Sequence, residues 1–172
     1  MEQSTIDLFI QVFAQYRTAR LAFLNTLDCQ GSNRDPLSEF SERLVAVLVD
    51  GRLAESRVQR GFDVIGPAGE KIQVKYLANP GTRWINEQQI NFSSDMDSYA
   101  LVFFENLELI SVLLFSKIGI EAVCKALNKR HPEQHISLQL TQRNFRQILD
   151  NVEIFQTHGV RLLYPTKEFA HS

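Results

Sequence analysis

Apolar and polar residues change period along this chain, and each change marks an element. From Thr5 to about Leu27, the residues Phe9, Val12, Phe13, Tyr16 and Phe23 recur at helical spacing, which predicts an amphipathic helix with those side chains as its packing side. Loop formers crowd the stretch Asp28 to Asp35 (DCQGSNRD) and end that helix. Asp35-Pro36 then reads as an N-cap with proline at the first helical position. Leu37, Phe40, Leu44, Val47 and Leu48 follow on one face of a second helix, which Asp50-Gly51 ends.

Between Val58 and Leu77 the period drops to two. Phe62 and Val64 alternate with Gly61, Asp63 and Ile65; after Gly66-Pro67-Ala68-Gly69, Ile72, Val74 and Tyr76 alternate with Lys71, Gln73 and Lys75. This predicts a hairpin with Pro67, Ala68 and Gly69 as its loop, because proline suits the first turn position and glycine the left-handed one. The register then sets Val64 opposite Ile72 and Asp63 opposite Gln73. A loop shorter by one residue would mix the polar and apolar sides, so the longer one is preferred. Further strands are expected at Tyr99–Phe104 and Leu109–Phe115 with a turn near Glu105-Asn106, then a helix over Ile118–Lys129. A strand at Ile136–Leu140, a helix capped by Thr141 and reaching Leu149, and a strand at Val160–Tyr164 complete the order. That order predicts an α/β (α+β) fold, a mixed sheet flanked by helices.

In this register one side of the hairpin carries Phe62, Val64, Ile72, Val74 and Tyr76, and the other carries Asp63, Gln73 and Lys75. Asp63, nine intervening residues and then Gln73-Val74-Lys75 on the second arm resemble the PD-(D/E)XK nuclease superfamily. Gly61-Phe62-Asp63 is similar to the lead-in of that motif. The helix segment Ser41-Glu42-Arg43-Leu44-Val45 resembles the glutamate-bearing helix of Mrr-type restriction enzymes and archaeal junction resolvases. The resemblance covers roughly residues 37 to 115. Glutamine stands where glutamate is usual, as in the Q-x-K variant of Mrr-like members, and Phe62-Asp63 replaces the proline–aspartate pair.

The resemblance implies a restriction-endonuclease-like core over 35–115, after a helical extension and loop over 1–34 and before C-terminal helices and strands over 116–172, all in one domain. It implies a metal-dependent DNA endonuclease, a type II-like restriction or defence enzyme, with Glu42, Asp63, Gln73 and Lys75 as catalytic residues. Mg²⁺, or Mn²⁺ in its place, would be held by Asp63, Gln73 and the Val74 carbonyl, since a hard divalent cation takes oxygen ligands. Lys75 would hold the attacking water and offset charge on the phosphate. Glu39 is the rival of Glu42. The alternatives are a junction-resolvase-like nuclease and a nuclease-fold binding or assembly module without catalysis. Cutting both strands of a duplex needs two active sites, so a homodimer or a partner subunit is expected.

Composition adjusts this picture only slightly. The 172 residues carry a formal net charge of −2, so contact with DNA requires a local basic face rather than a basic average. Arg83, Trp84, Asn86 and Gln88 are candidates for reading base edges, with Trp84 as a loop anchor the competing reading. Arg143 and Arg146, with Lys125, Lys129 and Arg130, are candidates for phosphates or for the ordinary solvated side of a helix. His131 and His135 would suit zinc only on a helix, and Pro132 between them favours a loop. Cys29 and Cys124 are expected as reduced thiols. No secretory signal or membrane span is read, so a cytoplasmic protein is expected.

Overall fold

The computed structural model describes residues 3–55, 61–85, 87–93, 95–130 and 133–165. The chain forms two compact units, Met1–Phe40 and Ser41–Ser172.

In the first unit, α1 (Gln3–Thr26) occupies the expected helix. Its expected packing residues are exposed: Phe9 by 62%, Phe13 by 63%, and Val12, Tyr16 and Phe23 as well, although the Phe23 ring meets Phe40 at 6.0 Å; Leu24 is buried. Helical spacing tells which side chains share a side, not whether anything covers it. The helix ends where Asp28 adopts a left-handed φ of 54° and the Cys29 N–H bonds back to the Leu24 carbonyl at 2.9 Å. Arg20 Nη2 donates to the Arg34 carbonyl at 2.9 Å and ties the loop to α1. α2 (Pro36–Leu48) begins at the expected cap, with the Ser38 N–H donating to Asp35 Oδ2 at 2.9 Å.

The second unit takes up α2 from Ser41, and here the helix shows a different face from the one expected. Val47, on the expected apolar face, is 79% exposed, while Glu42, Val45, Ala46 and Val49 are buried. Val45, Ala46 and Val49 set the inward face, and Glu42 comes with them because it lies one turn before Val45 and Ala46.

The hairpin forms in the expected register. β1 (Arg52–Leu53) and β2 (Val64–Ile65) pair antiparallel, and β2 pairs with β3 (Lys71–Asn79), Val64 opposite Ile72. The Gly66 N–H bonds to the Glu70 carbonyl and Gly69, at φ 84°, closes the three-residue loop. Residues 58–60, where the alternation begins, lie outside the described residues.

β4 (Gln88–Asn91), which the amide-rich sequence did not announce, follows β3. β5 (Ser98–Glu105) and β6 (Glu108–Ser116) pair antiparallel through Asn106 and Leu107, both at positive φ. Then come α3 (Ile120–Ala126), β7 (Ser137–Leu140), α4 (Gln142–Asp150), the unexpected short helix α5 (Val152–Thr157) and β8 (Val160–Tyr164). Thr141 caps α4 with a capping box to Asn144. α3 is shorter than expected at both ends, and Ile118 is 97% exposed.

The architecture is mixed α/β. A six-stranded sheet runs β1-β2-β3-β5-β6-β8, and β4 and β7 form a separate antiparallel pair. Only β3 and β5 run parallel in the large sheet. β5 (SYALVFFE) is buried on both faces, which explains its unbroken apolar run. On one face Tyr99, Leu101, Phe103, Leu113 and Phe115 meet Ile90, Leu138, Leu140, Phe145, Ile148 and Phe155 in the main core. Among the described residues no helix is long and apolar enough to cross a membrane.

Candidate functional site

Asp63 is fixed by its backbone before its side chain is considered. Its N–H bonds to the Ile72 carbonyl at 2.9 Å, and its carbonyl accepts from the Ala54 N–H at 2.8 Å. The side chain is 5% exposed, with Oδ2 accepting from the Val74 N–H at 2.9 Å and from Gln73 Nε2. The same Gln73 nitrogen lies 3.3 Å from the Val74 carbonyl oxygen. A carboxylate oxygen from the residue before β2 and an amide and a peptide carbonyl from β3 thus meet at one point. Lys75, two residues beyond Gln73 on the same side of β3, is exposed. Asp63, Gln73 and Lys75 therefore share a sheet face.

The parallel partner adds a residue that the sequence did not single out. Tyr99 of β5 pairs in register with Gln73. It is buried, and its hydroxyl bonds with Gln88 Nε2 at 3.1 Å. Burial pushes the phenol up to about 12, with the Asp63 charge pushing the same way and the Gln88 hydrogen bond opposing both. Tyr99 thus stays neutral, within electrical reach of Asp63. A tyrosine in an otherwise aliphatic and phenylalanine-rich strand was the available signal, but its value depends on a parallel register that no short-range pattern encodes.

The two candidate glutamates are both buried, Glu42 at 2% and Glu39 at 0%. They differ in surroundings. Glu39 Oε1 accepts from Ser32 Oγ at 2.7 Å and faces Arg34 Nη1 at 3.5 Å, so it serves the loop of the first unit. Glu42 belongs to the unit that holds Asp63. Among the described residues no three His, Cys, Asp or Glu side chains gather in a metal-binding group, so an ion at Asp63 would draw on amide and carbonyl oxygens.

Trp84 is half-buried and its indole stacks on Phe103 at 5.5 Å and meets Phe145 at 5.3 Å, as a loop anchor does. Gln142, at the start of α4, accepts from the Trp84 N–H at 3.5 Å and donates to the Thr82 carbonyl. This pins the segment carrying exposed Arg83 to the helix carrying exposed Arg143 and Arg146. Gln88 turns inward to Tyr99. Asn86, His131 and Pro132 lie outside the described residues, and His135 is exposed. Lys125 pairs with Glu121 at 2.8 Å, and Cys29 and Cys124 are free thiols. No protein-family model matches the chain, and no curated protein matches it.

Proposed function

We propose that this chain is a metal-dependent DNA endonuclease of the PD-(D/E)XK type, a restriction or defence enzyme of the cytoplasm with a restriction-endonuclease-like core. The meeting of Asp63 Oδ2, the Gln73 amide and the Val74 carbonyl carries this reading. The residues fit a hard divalent cation: Asp63 brings the charge, the Val74 carbonyl a second oxygen, and the Gln73 amide a third once it turns over to present Oε1. Glu42 is the further carboxylate of the same unit. Mg²⁺, or Mn²⁺ in its place, would offset the negative charge that builds on the phosphate.

The chain's own groups do the rest. The hairpin ladder and the Val74 N–H hold Asp63 in one orientation, so little reorganises when the substrate binds. Lys75 reaches out from the same face, hydrogen-bonds the attacking water and neutralises charge on the phosphoryl oxygens. Arg83, Arg143 and Arg146 contact the DNA backbone, which fixes register without reading sequence. Two copies, or a partner subunit, serve the two strands of a duplex.

One observation favours a second reading. The Gln73 amide already satisfies Asp63 by hydrogen bonding, as it would in a nuclease-fold binding or assembly module without catalysis. Incubating linear and branched DNA with Mg²⁺ or Mn²⁺, beside an Asp63→Ala variant, separates these readings. Cleavage lost in the variant supports the endonuclease. Selective cutting of branched DNA assigns a junction-resolvase-like enzyme. DNA left intact together with no Mn²⁺ uptake supports the module.

A further inference from the structure

Within the first unit, α1 leaves a long apolar stripe uncovered. Ile6, Phe9, Phe13, Tyr16 and Phe23 share one side of the helix with Val12 beside them, and their exposure runs from 36% at Phe23 to 63% at Phe13. Gln11, Gln15 and Thr18 occupy the opposite side. A helix gains its stability chiefly from burying such a stripe, not from propensity. Aromatic side chains carry about 150–250 Å² each, so the four rings leave roughly 400 Å² uncovered, and Ile6 and Val12 bring the stripe to roughly 550 Å². A standard interface takes about 800 Å² from each partner, of which about 65% is apolar between identical chains, hence about 500 Å². The stripe has the area that a second copy needs.

Charge along α1 decides how two copies lie. Its one acid, Asp7, is in the first half of the helix, and its two bases, Arg17 and Arg20, are in the second. Arg20 falls within the stripe, four residues after Tyr16 and three before Phe23. A parallel pair would gather both copies of Arg17 and Arg20 at one end, where α1 has no acid. An antiparallel pair sets each arginine-bearing half beside the half with Asp7 and opposes the two helix dipoles. A two-fold axis between Phe13 and Tyr16 then places Phe13 against the partner's Tyr16, Phe9 against the partner's Arg20 and Ile6 against the partner's Phe23. An arginine over a phenylalanine ring is itself attractive.

We propose that α1 is a homodimerisation helix, pairing antiparallel with α1 of a second copy of this chain along this stripe. The inference does not rest on the endonuclease reading, whose test is DNA cleavage, and either can fail without the other.

Sedimentation equilibrium of the full chain tests it. At tens of micromolar the mass is twice that of one chain, and Phe9→Glu and Phe13→Glu each weaken association at least tenfold. Gln15→Glu, which adds the same charge on the opposite side of α1, leaves association within twofold, and Phe13→Leu retains it. Orientation is read in a Cys29→Ser background. Chains with Ile6→Cys and chains with Phe23→Cys form a mixed disulfide when combined, because a parallel pair would hold these positions about 25 Å apart. A one-chain mass at every concentration, oligomers that grow without limit, association untouched by Phe9→Glu and Phe13→Glu, or disulfides formed as readily by either cysteine variant alone overturns the proposal. A one-chain mass together with sedimentation on phosphatidylcholine–phosphatidylserine vesicles also overturns it, and assigns the stripe to a membrane surface.

Discussion

Gln73 brings a dipole to a position where a glutamate would bring a full charge. A close ion pair is worth on the order of a few kcal/mol at an effective dielectric near 20. Gln73→Glu should therefore lower the Mg²⁺ concentration that half-saturates cleavage by tenfold or more. Gln73→Ala should raise it while leaving the fold intact, because the side chain lies on the polar side of the hairpin. Titrating Mg²⁺ and Mn²⁺ against the three proteins checks this, and identical curves would remove Gln73 from the ligand set. Lys75→Ala should keep DNA affinity and slow cleavage by roughly 10²-fold or more, as expected for a group that acts on developing charge.

Tyr99 offers a test that needs no substrate. Its folded pKa, about 12, lies above the ordinary 10.0, so folding favours the neutral phenol. That contribution is fully present below pH 10 and is lost as the pH rises from 10 toward 12. It amounts to about 2–3 kcal/mol at most. Subtracting the alkaline ultraviolet titration of Tyr99→Phe from that of the parent isolates this phenol from Tyr16, Tyr76 and Tyr164. The difference band should appear near pH 12, or together with unfolding. A midpoint near 10 would mean that the hydroxyl is neither buried nor close to Asp63.

Elements position these residues, and the backbone after α2 packs tightly on β2. A Cβ added at Gly51 would lie 2.5 Å from the Ile65 carbonyl oxygen and 3.2 Å from the Gly66 Cα. Backbone cannot retreat as a flexible side chain can. Gly51→Ala should destabilise the protein by about 2 kcal/mol or more, on the scale of overpacking. It should also reduce activity at temperatures where the protein stays folded, since it separates the helix bearing Glu42 from the strand that follows Asp63. Gly69→Ala meets no neighbour within 4 Å and should cost only about 1 kcal/mol, from its positive φ. Urea denaturation ranks the two.

The hairpin was legible because all its determinants are close in sequence: two alternating arms and a loop whose proline and glycine admit one register. The same holds for the Asp35 and Thr141 caps and for the β5–β6 turn. The inward face of α2 was misread because Val47 and Leu48 outweighed Glu42 by hydropathy, whereas packing by Val45, Ala46 and Val49 turned the acid inward. β4 was hidden in an amide-rich stretch, and its partner β7 lies far along the chain. Tyr99 joins the site only through the β3–β5 pairing, which spacing along a sequence does not express.

At the scale of the whole molecule, a net charge of −2 means that the DNA affinity of the proposed endonuclease would have to come from a restricted face. Binding should weaken steeply with salt, as released counterions require. Removing Arg83, Arg143 or Arg146 should lower the slope of log affinity against log salt by about one per lost phosphate contact. An unchanged slope in all three would place the DNA elsewhere, and salt-insensitive association would point to a protein partner.

The single parallel pair in the large sheet also fixes an order of assembly. Asp63 meets Gln73 across a tight turn, a closure on the scale of microseconds for an isolated hairpin. Tyr99 reaches Gln73 only after the chain from Pro80 to Asp97 has crossed over and laid β5 alongside β3. Such distant pairing is slow, because the loop entropy is lost before the contacts repay it. The metal-ligand candidates should therefore come together early and remain incomplete until the centre of the sheet closes. Pulsed hydrogen exchange during refolding would show this as early protection of the Asp63 and Val74 amides, followed later by those of β5.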